Sequence, residues 1–194
     1  MLLKQEPEEK KEDPRITRTR QLLHQALLEL MMEKSFQAIT IQDIARRATV
    51  NRVTFYAHFQ DKYALLEYTI REIFRERLHT FLSETAPFTS ENLATLIRAL
   101  CEFSGEMTRV CPPPHGQMDS LMEKQIKEVV YEILLSWLEE FPNPDYAEQK
   151  AMITSWAIYG AAVQWSQKPK PEPVNEFVQQ ILPIILASLN VQMA

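Results

Sequence analysis

The chain has 194 residues, 45% hydrophobic and 24% charged, the balance of a soluble globular protein with chain enough for one or two cores. Its 3 glycines argue against phosphate-cradling loops and turn-rich β folds, and its 12 prolines gather near the N-terminus, at 112–114, at 142–144 and at 169–173, as punctuation between long elements. A net charge of −5 argues against nucleic acid as a partner of the chain as a whole, yet residues 15–64 carry +4 while residues 65–194 carry −7, so one part alone suits a polyanion.

Residues 1–14 are charged, lack apolar periodicity and are expected to form a disordered tail. From Ile16 onward the period is helical. Leu23, Leu27, Leu30 and Met31 form one stripe, which predicts a helix over 15–34. "SFQAIT" breaks it. Thr40 is the N-cap of a short second helix with Ile41, Ile44, Ala45 and Ala48 on its apolar face. A tight turn at Thr49–Val50 leads to a third short helix near 51–57. Asp61 caps a long helix, predicted over 62–84. Further helices are expected over 91–110, 118–141, 146–166 and 174–189, with Pro183 kinking the last. No strand and no internal repeat is visible.

The "KQEPEEKKED" N-terminus has no apolar signal region. The longest uncharged stretch, from Ala151 to Gln167, is too short and polar for a membrane span. A cytoplasmic chain with no membrane partner is expected. Cys101 and Cys111 imply no disulfide framework, and Cys111 with His115 is too few ligands for zinc. His24 and His79 read as structural, and Arg46 and Arg47 as a solvated face. No metal, no cofactor and no catalytic constellation is expected, so the chain is not read as an enzyme.

The two short helices with their tight turn match a helix-turn-helix. On the later helix, Phe55 and Phe59 lie at i, i+4 and can pack inward. Arg52, Val53 and Tyr56 share another face. One guanidinium, one small apolar group and one phenol are the chemistry that meets base edges and phosphates. Lys62, in the first turn of the next helix, opposes the macrodipole, which suggests a phosphate beside it.

At this point the stretch "ITIQDIARRATVNRVTFYAHFQDKYALL" resembles the DNA-binding signature of TetR/AcrR-family transcriptional regulators from Thr40 to Leu66. The resemblance implies that Thr40 and Gln42 meet phosphate or base from the second helix. It implies that Arg52 and Val53 face bases, that Thr54, Tyr56, His58 and Lys62 largely clamp phosphates, and that Asn51 belongs to the same DNA-binding set. One position departs: Thr49 stands where the family has a turn glycine, a place that tends to need positive φ.

The fold expected is therefore all-α. A three-helix helix-turn-helix DNA-binding domain at 15–61 is followed by a helical-bundle ligand-binding and dimerisation domain at 62–194. The helix over 146–166 is apolar nearly all round, and the last helix is too apolar for one buried face, so both should meet a second copy. Ile153, Trp156, Gly160, Val163, Phe177, Ile181, Ile184 and Ile185 are the interface expected of that homodimer. Two recognition helices would then stand about 34 Å apart on a pseudo-palindromic double-stranded DNA operator. The resemblance also implies a small-molecule effector, of hydrophobic or aromatic character, held among Phe74, Phe103, Met107, Met118, Met122, Tyr131, Trp137, Trp156 and Tyr159. A rival reading is an all-α small-molecule-binding protein whose DNA module is vestigial.

Overall fold

In the computed structural model, residues 13–83, 85–110, 117–141 and 145–189 are described. Among them there are eight α-helices, one 3-10 turn and no strand. Most of the expected N-terminal tail lies outside the described residues, as do Cys111 and His115. Two compact units, Met1–Thr69 and Ile70–Ala194, divide the chain. The division falls inside the fourth helix rather than at its start, where the sequence reading placed it.

In the first unit, α1 (Pro14–Glu33) begins at an Asp13 cap whose carboxylate accepts from Arg15 N at 2.9 Å, with Pro14 in the first turn. A 3-10 turn, Phe36–Ala38, follows. α2 (Ile41–Arg47) opens with a capping box: Thr40 Oγ1 accepts from Asp43 N, and Asp43 Oδ2 accepts from Thr40 N. α3 (Arg52–His58) is capped by Asn51, whose Oδ1 accepts from Thr54 N at 2.7 Å. α4 (Lys62–His79) is capped by Asp61, which accepts from Tyr63 N and Ala64 N, both at 2.8 Å. The apolar stripes predicted for these helices meet in one core: Leu23, Leu27 and Leu30 with Ile44, Ala45, Phe55 and Leu65. Burying each large side chain contributes roughly 1.5–3 kcal/mol. His24 is buried with it, its Nδ1 3.2 Å from Thr69 Oγ1.

Thr49 has φ 56, in the left-handed region. It ends α2 in a complete Schellman motif: Thr49 N donates to Arg46 O at 3.2 Å and Val50 N to Ala45 O at 2.9 Å. The geometry is that of a glycine turn carried by a β-branched residue. Thr49→Gly is therefore expected to stabilise the protein by about 1 kcal/mol, the left-handed penalty of a side chain less the added chain entropy of glycine. Urea denaturation followed by circular dichroism measures it, and a destabilised variant would show that the turn is not strained.

The second unit holds α5 (Ser90–Val110), α6 (Gln117–Glu139), α7 (Ala147–Ser166) and α8 (Val174–Leu189), with α7 packed against the other three. α7 and α8 run antiparallel, since Thr154 Oγ1 lies 3.4 Å from Ser188 Oγ while the Trp165 and Phe177 rings sit 6.2 Å apart. The later part of α4 belongs here: Phe74 packs on Phe103 at 5.1 Å, Arg75 pairs with Glu132 at 2.9 Å, and Arg77 pairs with Glu106. α4 stops at His79, short of the expected residue 84. The Thr80 hydroxyl donates to the Arg77 carbonyl at 2.8 Å, and Phe81 N and Leu82 N both donate back to Leu78 O. Pro183 lies inside α8.

Candidate functional site

α3 is two-faced. Phe55 is fully buried and Phe59 nearly so, their rings 6.1 Å apart, which fixes the short helix on the core. That leaves Arg52 exposed, Val53 78% exposed and Tyr56 49% exposed, with His58 half-buried beside them. Gln42 and Asn51 are exposed as well. The apolar–polar division expected along this stretch is thus two faces of one helix.

Three of the expected contact residues are occupied within the protein. The Thr40 hydroxyl donates to Asp43 Oδ2 at 2.8 Å, so its proton is spent in the capping box. The Thr54 hydroxyl lies 3.0 Å from Asn51 Oδ1 and donates to it. Lys62 differs most from expectation. Its ammonium donates to Phe36 O at 3.0 Å, Gln37 O at 3.0 Å and Ile39 O at 2.9 Å, and lies 4.8 Å from the Phe36 ring centroid. An ammonium has three donors, and all three are used. The intrinsic reason for a cation in this turn, missing from the macrodipole argument, is a clasp on the carbonyls of the 3-10 turn. Phe36 and Ile39, the two large apolar residues of "SFQAIT" and both buried, were the sequence signal that this break is a packed element.

Further ion pairs set α2. Lys34 Nζ lies 2.8 Å from Asp43 Oδ2, and this bond, with those from Thr40, holds the Asp43 carboxyl well below the usual carboxylate range. Arg47, expected in a solvated face, instead bridges to Glu33 at 2.8 Å and Glu29 at 3.2 Å on α1, and the two carboxylates raise its pKa. Arg46 stays exposed, paired with Asp43 at 3.1 Å.

In the second unit the expected ligand-contacting residues separate into groups. Phe103, Met107, Met122 and Tyr159 line one cavity of about 260 Å³ between α5, α6 and α7. Asp119, Glu123, Ser104 and Thr108 line it too, and sequence reasoning missed them. Tyr131 and Trp156 line a wider groove of about 680 Å³ on the outer side of α6 and α7. Trp137 lines a cavity of about 240 Å³ between α4 and α6 and donates through Nε1 to Ala86 O at 2.7 Å. Phe74 is fully buried core, and Met118 is half-buried in the first turn of α6. Burial pushes the Cys101 thiol up to about 12, with the Glu102 carboxylate adding to it, which makes it packing rather than a reactive thiol.

The α7–α8 surface keeps Ile153 59%, Trp156 60% and Ile184 68% exposed, and Gly160 open. The antiparallel register sets Ile184 level with Ile158, hence along the same stretch as Ile153 and Gly160. Val163 and Ile181 are half-buried. Phe177 and Ile185, expected at the interface, are instead buried in their own bundle, because the apolar excess of α8 is shared between two faces. No described helix is long and apolar enough to cross a membrane.

The family model "Bacterial regulatory proteins, tetR family" matches residues 23–69. Over 64 residues the chain is 42% identical to YxbF of Bacillus subtilis (strain 168), described as an uncharacterized HTH-type transcriptional regulator; the match covers 32% of this chain and 17% of that relative's length. Among solved structures, FadR of Thermus thermophilus, a TetR-family transcriptional repressor in complex with lauroyl-CoA, superposes with TM-score 0.54 at 21% identity, covering 90% of this chain and 97% of that one. The flavonoid-responsive regulator FrrA superposes with TM-score 0.50 at 22% identity, covering 89% and 97%. These two show a shared fold. The likeness to the tetR family of bacterial regulatory proteins thus rests on the domain at residues 23–69.

Proposed function

We propose that the protein is a homodimeric transcriptional repressor that binds a pseudo-palindromic operator and is released by a small molecule. The observation that carries this reading is the exposed face of α3: Arg52, Val53 and Tyr56 stand clear of a helix whose other side is locked by Phe55 and Phe59. Arg52 reads guanine acceptors and Val53 meets a thymine methyl. Gln42, Tyr56, His58 and the amide donors of Asn51 hold phosphates. Thr40, Thr54 and Lys62 act indirectly, by fixing α2, α3 and the 3-10 turn. The open α7–α8 surface supports pairing with a second copy, and the cavity among Phe103, Met107, Met122 and Tyr159 supports an apolar effector. In this mechanism an occupied cavity changes the tilt of α4, and with it the spacing of the two heads; couplings of 1–3 kcal/mol are typical of such devices.

Selection of bound duplexes from a random library tests the reading. The expected product is an inverted repeat with half-sites about one helical turn, roughly 34 Å, apart. An all-α binding protein with a vestigial DNA module would enrich nothing.

A further inference from the structure

The free side of α3 has a crest. Phe55 and Phe59, both buried, stand two residues before and two residues after Ala57. At about 100° per residue, Ala57 lies roughly 200° round the helix from each, so it points straight away from the core. Ala57 is exposed, and Val53, one turn earlier on the same line, is 78% exposed. Arg52 and Tyr56 run along one side of this line, and the half-buried Thr54 and His58 along the other. The side chains with donors therefore flank the crest, and the crest itself carries only methyl groups.

A methyl crest reads base edges by exclusion. Laid on the floor of the major groove, it takes water from the donors and acceptors of adenine, guanine and cytosine and returns no hydrogen bond. Thymine is the base that presents a methyl group there, at C5. Alanine at the most outward point also lets the backbone approach the floor closely. Val53 and Ala57 are about 6 Å apart along the axis, roughly two base steps of about 3.4 Å. We infer that Ala57 is a specificity-determining residue alongside Val53, and that each half-site carries two thymines, on either strand and within about two steps of each other, recognised through their C5-methyl groups. The inference rests on the reading of α3 as the helix that reads bases. Ala57 was absent from the residues expected to meet DNA because alanine has no polar group to suggest a contact.

Exchange of thymine for uracil tests it, since this removes the C5-methyl and leaves the pairing edge intact. Each thymine of one half-site of a selected duplex is exchanged in turn, and the affinity of the full chain is measured by fluorescence polarisation. Two positions should each lose about fourfold, the transfer free energy of one methyl group, and every other thymine less than about 1.5-fold. Ala57→Ser puts a hydroxyl on the crest that bonds to base edges of several kinds, and should reduce the loss at one of the two positions to below about twofold. Val53→Thr, which keeps the shape of the side chain, should do the same at the other. Both positions are exposed, so both variants should keep the helical spectrum, and the uracil scan of the unaltered protein decides without them. A selected half-site with fewer than two thymines, a scan with fewer than two sensitive positions, or two sensitive positions that ignore Ala57→Ser would overturn the inference and leave α3 as the reading helix. If no duplex is selected at all, the reading of α3 falls, and this inference with it.

Discussion

Lys62→Met is expected to lower the stability of the protein by about 2–3 kcal/mol, the loss of three charge-assisted bonds to carbonyls that water can only partly replace. The clasp spans sequence distance: Lys62 reaches back to Phe36, Gln37 and Ile39, so its removal frees the 3-10 turn from the start of α4. Lys62→Arg should rescue little, because a planar guanidinium cannot aim three donors at carbonyls converging on one point. Denaturant melts of the three proteins measure this. The rival role is also measurable. A lysine that clamps phosphate leaves stability nearly unchanged when removed, weakens binding to all duplexes alike, and lowers the salt slope by about one.

The second large effect is expected at the α7–α8 surface. Ile153 and Ile184 are both more than half exposed, while the neighbouring Ile158 and Ile185 are buried in the bundle. Ile153→Glu with Ile184→Glu places two carboxylates on the face proposed to meet its own copy. Charge there leaves the single subunit folded and makes the isologous contact self-repelling. The variant should run as a monomer in light scattering with an unchanged helical spectrum. Its affinity for an inverted-repeat duplex should fall by about a hundredfold or more, since the second head no longer binds at high effective concentration. A variant that stays dimeric would place the interface elsewhere.

Local pattern carried most of the fold. The spacing of Leu23, Leu27 and Leu30, of Ile44, Ala45 and Ala48, and of Phe55 and Phe59 was enough to find three helices and their shared core, because each stripe is written within one helix. The caps at Thr40 and Asp61 were local too. Thr49 was legible as the strained turn, since its geometry follows from the ends of two adjoining short helices. What failed was long-range. No periodicity shows that Lys62 will meet carbonyls from before α2, or that Arg47 will span to Glu29 and Glu33. α8 is apolar on two sides, so composition alone could not sort Phe177 and Ile185, which turn inward, from Ile184, which turns out. Asp119 and Glu123 went unnoticed for a similar reason. They are ordinary helix-surface acids in sequence, and only the packing of α5 and α7 against α6 makes them cavity wall.

The central claim is that the exposed face of α3 reads base sequence. The measurement that tests it most directly is fluorescence polarisation of the protein and its Arg52→Ala variant on a selected duplex and on duplexes altered one pair at a time, each across a salt series. For the unaltered protein, affinity should fall steeply with salt and each altered pair should cost about 1–3 kcal/mol. Arg52→Ala should lose about 1–3 kcal/mol on the selected duplex and become indifferent to the base pair that Arg52 reads, with its preferences elsewhere retained. An Arg52→Ala protein that still discriminates at every position, or one weakened equally on all duplexes, would contradict the account.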